Sequence, residues 1–238
     1  GITVAKDAKK RKEQGIYYPP SFIVDYIVKS ALKPVLDKCK NIEDIRRVKV
    51  LDPACGSGSF LIKALEIINE KYRDFGAPDH ELIKLRILEE NIYGVDLDEQ
   101  AVEIARLNLL INALSKREKL PLLNNIKNGN SLISGMDEEL KKYFGKNFRD
   151  KKPFNWQEEF TEVFKQGGFD VIIGNPPYLS IERGYLEDVG YYKSHYSTIE
   201  KIYDIFGLFI EKAFLLIKTG GRIGFIVPNV ILFNDSFS

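Results

Sequence analysis

The chain has 238 residues, 44% of them apolar and 29% charged, with a formal net charge of +1. That balance fits a soluble globular protein of one large domain, and the charge alone gives no sign of a nucleic-acid partner. No apolar run approaches the roughly 20 residues that span a bilayer, and no signal-peptide pattern opens the chain. The two cysteines, Cys39 and Cys55, form neither a metal-like pair nor a disulfide framework, so a reducing, cytoplasmic setting and no metal site are expected. The chain begins at Gly1 rather than methionine, which reads as a fragment or a processed chain.

Residues 1–15 are rich in lysine and poor in apolar side chains, either a solvated terminus or an arm that contacts phosphates. Gly15-Ile16-Tyr17-Tyr18-Pro19-Pro20-Ser21 follows. Ser21 is positioned to cap a helix whose apolar face is Phe22, Ile23, Tyr26, Ile27, Ala31 and Leu32. Pro34 is expected to end that helix near Lys33.

A short buried strand over 48–51 runs into Asp52-Pro53-Ala54-Cys55-Gly56-Ser57-Gly58-Ser59-Phe60, and then a helix. The glycines let a backbone pass close to a ligand that helix N-terminal amides face. Cys55 reads as a small packing residue rather than a nucleophile. Pro78, Asp79, Glu81 and Lys84 have the letters of a metal-dependent nuclease without its spacing; Asp79 is expected to cap a helix over 81–90. A second strand over 92–95 ends in Asp96-Leu97-Asp98. A carboxylate there can accept from both hydroxyls of a ribose, which makes Asp96 the candidate, while Asp98 caps the next helix. That helix should bury Ala101, Ile104, Ala105, Leu107, Asn108, Leu109 and Ile111.

Residues 125–132 read as a weak third strand with a polar tip, and 136–152 as a charged surface excursion. Helical spacing returns around Trp156, Phe160, Val163 and Phe164. Phe169-Asp170-Val171-Ile172-Ile173-Gly174 is a buried strand that stops in Asn175-Pro176-Pro177-Tyr178. Two prolines stiffen that turn and leave carbonyls free to accept. Residues 178–200 are rich in tyrosine, either stacking rings or the loop's own packing, and His195 has no partner motif. A helix over 202–216 should bury Ile205, Phe206, Phe209, Ala213, Phe214 and Leu216, with Lys218-Thr219-Gly220-Gly221 ending it and a fifth strand over 222–229. Strands alternate with helices five times. The expected fold is therefore α/β, a doubly wound, mainly parallel sheet with the site at the carboxyl ends of the strands.

Asp52–Phe60 and Asn175–Tyr178, with the aromatic-proline segment ahead of the glycine loop, resemble the adenine-specific DNA methyltransferases of restriction–modification systems. The resemblance implies a Rossmann-like methyltransferase fold over 21–238, preceded by an arm and cofactor segment over 1–20. It implies S-adenosylmethionine as cofactor, held by Tyr18, Pro19, Asp52, Pro53, Ala54, Gly56, Gly58, Phe60, Asp96, Leu97, Asn130, Ser131 and Asn175. Relatives often carry Asp where this chain has Asn130. Asn175, Pro176, Pro177 and Tyr178 become the catalytic loop that holds adenine N6 in duplex DNA with the base flipped out. Only five of the family's seven strands are expected here, with no later aromatic clamp unless Phe233 or Phe237 approximates it. The target-recognition domain or specificity subunit is expected to lie elsewhere. Two rivals stay open: an amino-methyltransferase acting on protein glutamine or RNA, and a cofactor-binding but catalytically incomplete fragment.

Overall fold

The computed structural model describes residues 19–78, 80–114, 121–180, 188–200 and 204–228. The lysine-rich arm, Tyr17, Tyr18, Asp79, Tyr185, Asn229, Phe233 and Phe237 lie outside the described residues.

Five strands are described: β1 (Val50–Asp52), β2 (Ile92–Asp96), β3 (Ile126–Asn128), β4 (Phe169–Gly174) and β5 (Ile217–Phe225). They form one sheet in the order β3-β2-β1-β4-β5, and every pairing is parallel. The chain thus grows outward from β1 in both directions, and the strand order reverses between β1 and β4. In such sheets the crevice at the carboxyl ends of the two reversing strands is where ligands sit.

On one face lie α1 (Ser21–Leu36), α2 (Ile42–Arg47), α3 (Ser59–Asp74), α4 (Glu81–Glu90) and α5 (Glu99–Ala113). They enclose a core with Val50, Ile92, Ile126, Val171 and Ile173 from the strands. The other face carries α7 (Trp156–Glu159), α8 (Thr161–Lys165) and α10 (Ile205–Leu216) over Leu51, Tyr93, Val95, Phe169 and Ile172. Phe169 is ringed edge-to-face by Tyr93, Trp156, Phe160 and Phe164, pairs worth about 0.5–1.5 kcal/mol each beyond their burial. Phe169 and Ile172 share a face although strand alternation would separate them. The Asp170 and Val171 N–H groups both donate to the Lys49 carbonyl, at 2.9 and 3.1 Å, a bulge in β4 that restores the parity.

Several local expectations are corrected. Pro20, not Ser21, is the N-cap of α1, and no side-chain cap bond forms. Pro34 lies inside α1, which continues to Leu36; the Asp37 N–H bonds the Lys33 carbonyl at 2.8 Å and Leu36 is 2% exposed, so core packing holds the last turn. Ala31 and Leu32 are buried as expected, but Phe22 and Tyr26 point outward, at 71% and 72% exposed, and Val24, Val28 and Leu36 are buried in their place. The reason is close approach: Ile27 and Ala31 sit against Gly224 of β5, where an added Cβ would stand 3.1 Å from each. In α5 the inward set is Val102, Ala105, Leu109, Leu110 and Ala113, while Ile104, Leu107 and Ile111 are exposed. Ala105 is inward because it packs on Gly58 of the glycine loop, 3.3 Å from the position a Cβ would take.

His80 caps α4 through Nδ1, which accepts from the Leu82 N–H at 3.2 Å. Phe214 is 68% exposed, and β5 begins at Ile217 directly after α10, running through the glycine pair expected to separate them. Gly221 permits this, since a Cβ there would meet the Asp170 carbonyl at 2.9 Å.

The 136–152 excursion is structured. α6 (Asp137–Phe144) and a 3-10 turn (Gly145–Lys151) bury Leu140 and Phe148. They pack with α9 (Val189–His195), which brings Tyr191 and Tyr192 into a third small core with Tyr196 and Leu208. The described tyrosines of 188–200 are therefore packing residues. His195 also finds partners: its ring stacks on Tyr191 with centroids 3.9 Å apart, and Nε2 lies 3.0 Å from Glu139 Oε1.

Candidate active site

The glycine loop leaves β1 as Asp52-Pro53-Ala54-Cys55-Gly56-Ser57-Gly58 and enters α3. Gly56 and Gly58 have φ of +52° and +86°, a region that favours glycine, and Gly58 is the left-handed N-cap of α3. The loop is anchored from three sides. Cys55 N–H donates to the Val95 carbonyl at 3.0 Å, Asn108 Nδ2 donates to the Ser57 carbonyl at 3.0 Å, and Ser131 Oγ donates to the Pro53 carbonyl at 2.6 Å. Cys55 is 4% exposed in the core, and burial raises its thiol pKa well above the ordinary value, in keeping with packing rather than nucleophilic work. Phe60 is 3% exposed among core residues, so its side chain packs beneath the loop.

β2 delivers Asp96 to the same edge. Asp96 Oδ2 accepts from the Gly56 N–H at 2.8 Å, and Oδ1 from the Asp98 N–H at 2.9 Å. Each oxygen keeps a second lone pair for an incoming hydroxyl. Burial raises the Asp96 pKa, against the lowering pull of these amides. Asp98 caps α5 through the Gln100 N–H at 2.9 Å, as expected. Leu97 is 42% exposed on this rim.

At the β3 end, Asn130 is 8% exposed and its Oδ1 accepts from the Leu132 N–H at 3.0 Å. That bond spends one oxygen lone pair on the chain's own turn. Ser131 is 4% exposed, and its hydroxyl and carbonyl are both engaged, the carbonyl by Trp156 Nε1 at 3.1 Å. Ser131 therefore ties the β3 tip to the glycine loop.

From the opposite side of the switch point comes β4. Gly174 has φ of +155° and lies against Asp52: a Cβ there would stand 2.7 Å from Asp52 Oδ1. Only glycine lets β4 close on that carboxyl. Asp52 itself is 1% exposed, and Oδ1 accepts from the Ala54 N–H at 3.0 Å. Burial pushes its pKa up to about 8, with Asp96 adding to the rise and the Ala54 N–H opposing it. Beyond Gly174, Asn175-Pro176-Pro177-Tyr178 forms the opposite wall. The Tyr178 hydroxyl donates to Asn175 Oδ1 at 2.6 Å, and its ring packs edge-on against Phe206 of α10. The Gly174 carbonyl is tied to the Ile226 N–H at 3.0 Å and the Leu179 carbonyl to the Ile205 N–H at 2.9 Å, so the loop is pinned at both ends.

Pro19 precedes α1 on this same edge. Asp25, near the start of α1, pairs with Lys63 near the start of α3 at 2.8 Å, and Asp37, just past the end of α1, pairs with Lys71 at 3.6 Å. The two helices therefore run side by side in one direction, both beginning at the carboxyl edge. Tyr18 lies outside the described residues. The structure thus gathers Pro19, the glycine loop, Asp96, Leu97, Asn130, Ser131 and Asn175–Tyr178 on one edge. Sequence reasoning missed the supports: Asn108, Trp156 and Gly174. A polar residue inside an apolar stripe, a lone tryptophan and a glycine ahead of a proline turn were the available signals.

A doubly wound sheet with a glycine loop after its first strand and an acid after its second defines a domain of the nucleotide-cofactor class. Comparison with known proteins makes this specific. Residues 90–238 match the family model described as Eco57I restriction-modification methylase, and residues 44–122 match an RMKL-like methyltransferase domain. The chain belongs to the Eco57I restriction-modification methylase family. It is 30% identical over 251 residues to the type II restriction enzyme and methyltransferase RM.Eco57I of Escherichia coli, covering 91% of this chain and 23% of that protein. It is 25% identical to the adenine-specific methyltransferase PglX of Streptomyces coelicolor, covering 87% of this chain and 18% of the relative. The chain thus spans about a quarter or less of the length of these two relatives. Among solved structures it resembles the ATP-dependent type ISP restriction–modification enzyme LlaBIII bound to DNA, with a TM-score of 0.61 at 18% identity over 89% of this chain and 15% of that one. It also resembles the type I EcoKI M protein, with a TM-score of 0.53 at 19% identity over 92% and 35%. These likenesses establish the fold. Among the described residues no helix is long and apolar enough to cross a membrane.

Proposed function

We propose that this chain transfers a methyl group from S-adenosylmethionine to N6 of an adenine flipped out of duplex DNA, as the modification activity of a restriction–modification system. The observation that carries the reading is the meeting of two walls at the β1/β4 switch point, Asp52 and the glycine loop on one side and Asn175–Tyr178 on the other. The residues present fit the cofactor. Positive-φ glycines open the loop, Asp96 keeps lone pairs for ribose hydroxyls, and a buried carboxyl at Asp52 suits a cationic ligand. Asn130 offers a side-chain amide at the base end, its oxygen already turned to Leu132.

When bound, the cofactor supplies an activated methyl on a good leaving group. The chain's own contribution is positioning. Asn175 Oδ1 and the Pro176 carbonyl accept the two N6 hydrogens, which localises the nitrogen lone pair toward the methyl. Pro177 stiffens the loop, and the Tyr178 ring stacks on the target base. The Tyr178 hydroxyl donates to Asn175 Oδ1, so that bond is exchanged for one to the substrate.

The test is incubation of the protein with labelled cofactor and mixed-sequence duplex DNA, followed by nucleoside analysis. N6-methyladenine that depends on Asn175 supports the reading. Label appearing instead in N4-methylcytosine, RNA or protein glutamine overturns it.

A further inference from the structure

Resting on the cofactor reading above, we infer that Asp52 is a proton-exchanging counterion: it is neutral in the cofactor-free protein and gives up its proton to solvent when the cationic cofactor binds.

Asp52 ends β1 at the point where the strand order reverses, and it is 1% exposed. Its Oδ1 accepts one bond, from the Ala54 N–H at 3.0 Å. Among the described residues nothing bonds to Oδ2. Gly174 closes over the group from β4, leaving glycine backbone rather than a charged side chain on that side. The titratable groups facing it are Asp96 from β2 and the Cys55 thiol from the glycine loop. A negative Asp96 disfavours a second charge beside it, and no cation is paired with Asp52 among the described residues. A carboxylate that is 1% exposed, beside a second acid and without a paired cation among the described residues, is costly, and taking up a proton removes the charge. The upward displacement of its pKa to about 8 agrees with that geometry.

A positive ligand in the crevice reverses the balance. The Asp52 O–H bond breaks, the proton passes to buffer, and the carboxylate faces the ligand's charge. Between pH 6 and 8 cofactor affinity then rises with pH, because each bound ligand displaces a proton.

The experiment is calorimetric titration of S-adenosylmethionine in phosphate and in Tris at pH 7, on wild type and Asp52→Asn, which keeps the acceptor for Ala54. Wild type should release more protons per site than the variant, the excess being the proton that Asp52 gives up. Repeating both titrations at pH 6.5, where the cofactor's amine is already charged, leaves the difference to Asp52. Equal proton exchange by two proteins that both bind would overturn the inference and leave the proposed function standing. Failure of folded wild type to bind at all overturns both. Should Asp52→Asn not fold, wild type at pH 6.5 decides alone, because an α-amine with a pKa near roughly 7.7–8.0 is already charged there. Release of about one proton supports the inference and release of none overturns it.

Discussion

The two walls of the crevice are built differently. The glycine-loop wall is closed upon itself: Asp96 holds Gly56, Ser131 holds Pro53, Asn108 holds Ser57 and Trp156 holds Ser131. Each of these bonds joins one part of the scaffold to another. The Asn175–Tyr178 wall is pinned at its ends, yet its central bond, from Tyr178 to Asn175, joins the two side chains proposed to touch the target base. On the proposed function, the first wall receives a ligand that is always the same, and the second gives up its side-chain bond when a base enters.

The sharpest way to break this comparison is Asn175→Ala. Methyl transfer to DNA should fall by about 10²–10³-fold, the scale of losing one preorganised polar group at a reacting centre, while cofactor affinity measured by calorimetry stays within a few-fold. An equal loss in both would mean that the walls are one unit. Next comes Asp96→Ala. Losing hydrogen bonds to a charged acceptor costs about 1.5–3 kcal/mol, so cofactor Kd should rise by roughly 10–150-fold with the rate at saturation little changed.

Asp52→Asn probes the seam between the walls through stability. The folded-state pKa of Asp52 lies near 8, above the unfolded value of 3.8. The stability it contributes is full below the unfolded value and is lost as pH rises through the folded value. Cofactor-free wild type should therefore melt below Asp52→Asn at pH 8, by roughly 5–10 °C, and level with it near pH 4, as read by thermal denaturation. Tyr178→Phe is gentler. It removes the hydroxyl's bond to Asn175 Oδ1 and keeps the ring, so KM for DNA should fall by about 2–10-fold, the worth of one net hydrogen bond, whereas Tyr178→Ala raises it. The smallest effect on the chemistry is that of Trp156→Phe, which removes the bond to the Ser131 carbonyl at the cost of about 1–3 kcal/mol of stability in urea melts and leaves methyl transfer intact at saturating cofactor.

The residues placed at strand ends were legible in order. Glycines 56 and 58, the acid at 96 and the Asn-Pro-Pro-Tyr turn each follow an apolar strand, and a parallel alternation forces such ends to one edge. Which apolar stripe of a helix faces inward was not legible. In α1 and α5 large apolar side chains occur all round, so periodicity offers two faces of similar strength. The sheet chose the face with the smaller groups, because Gly224 and Gly58 demand close approach and Phe22 or Ile111 cannot provide it. The 136–152 segment was hidden for a related reason. Its helix buries only Leu140, too little for a periodic signal, and it is held by Tyr191 and His195 from some fifty residues downstream.

The sequence by itself determined the layered α/β class, the strand order's consequence for the site, and the chemical types gathered there. It did so because local hydrogen-bonding and φ restrictions act within a few residues. Only the tertiary structure decided that Asp52 is sealed by Gly174, that Asn175 is held by Tyr178 through its oxygen, and that Ser131 and Trp156 serve the scaffold. Those facts depend on which strand ends meet across the sheet, and burial, charge and hydrogen-bond partners are set by that meeting rather than by neighbours in the chain.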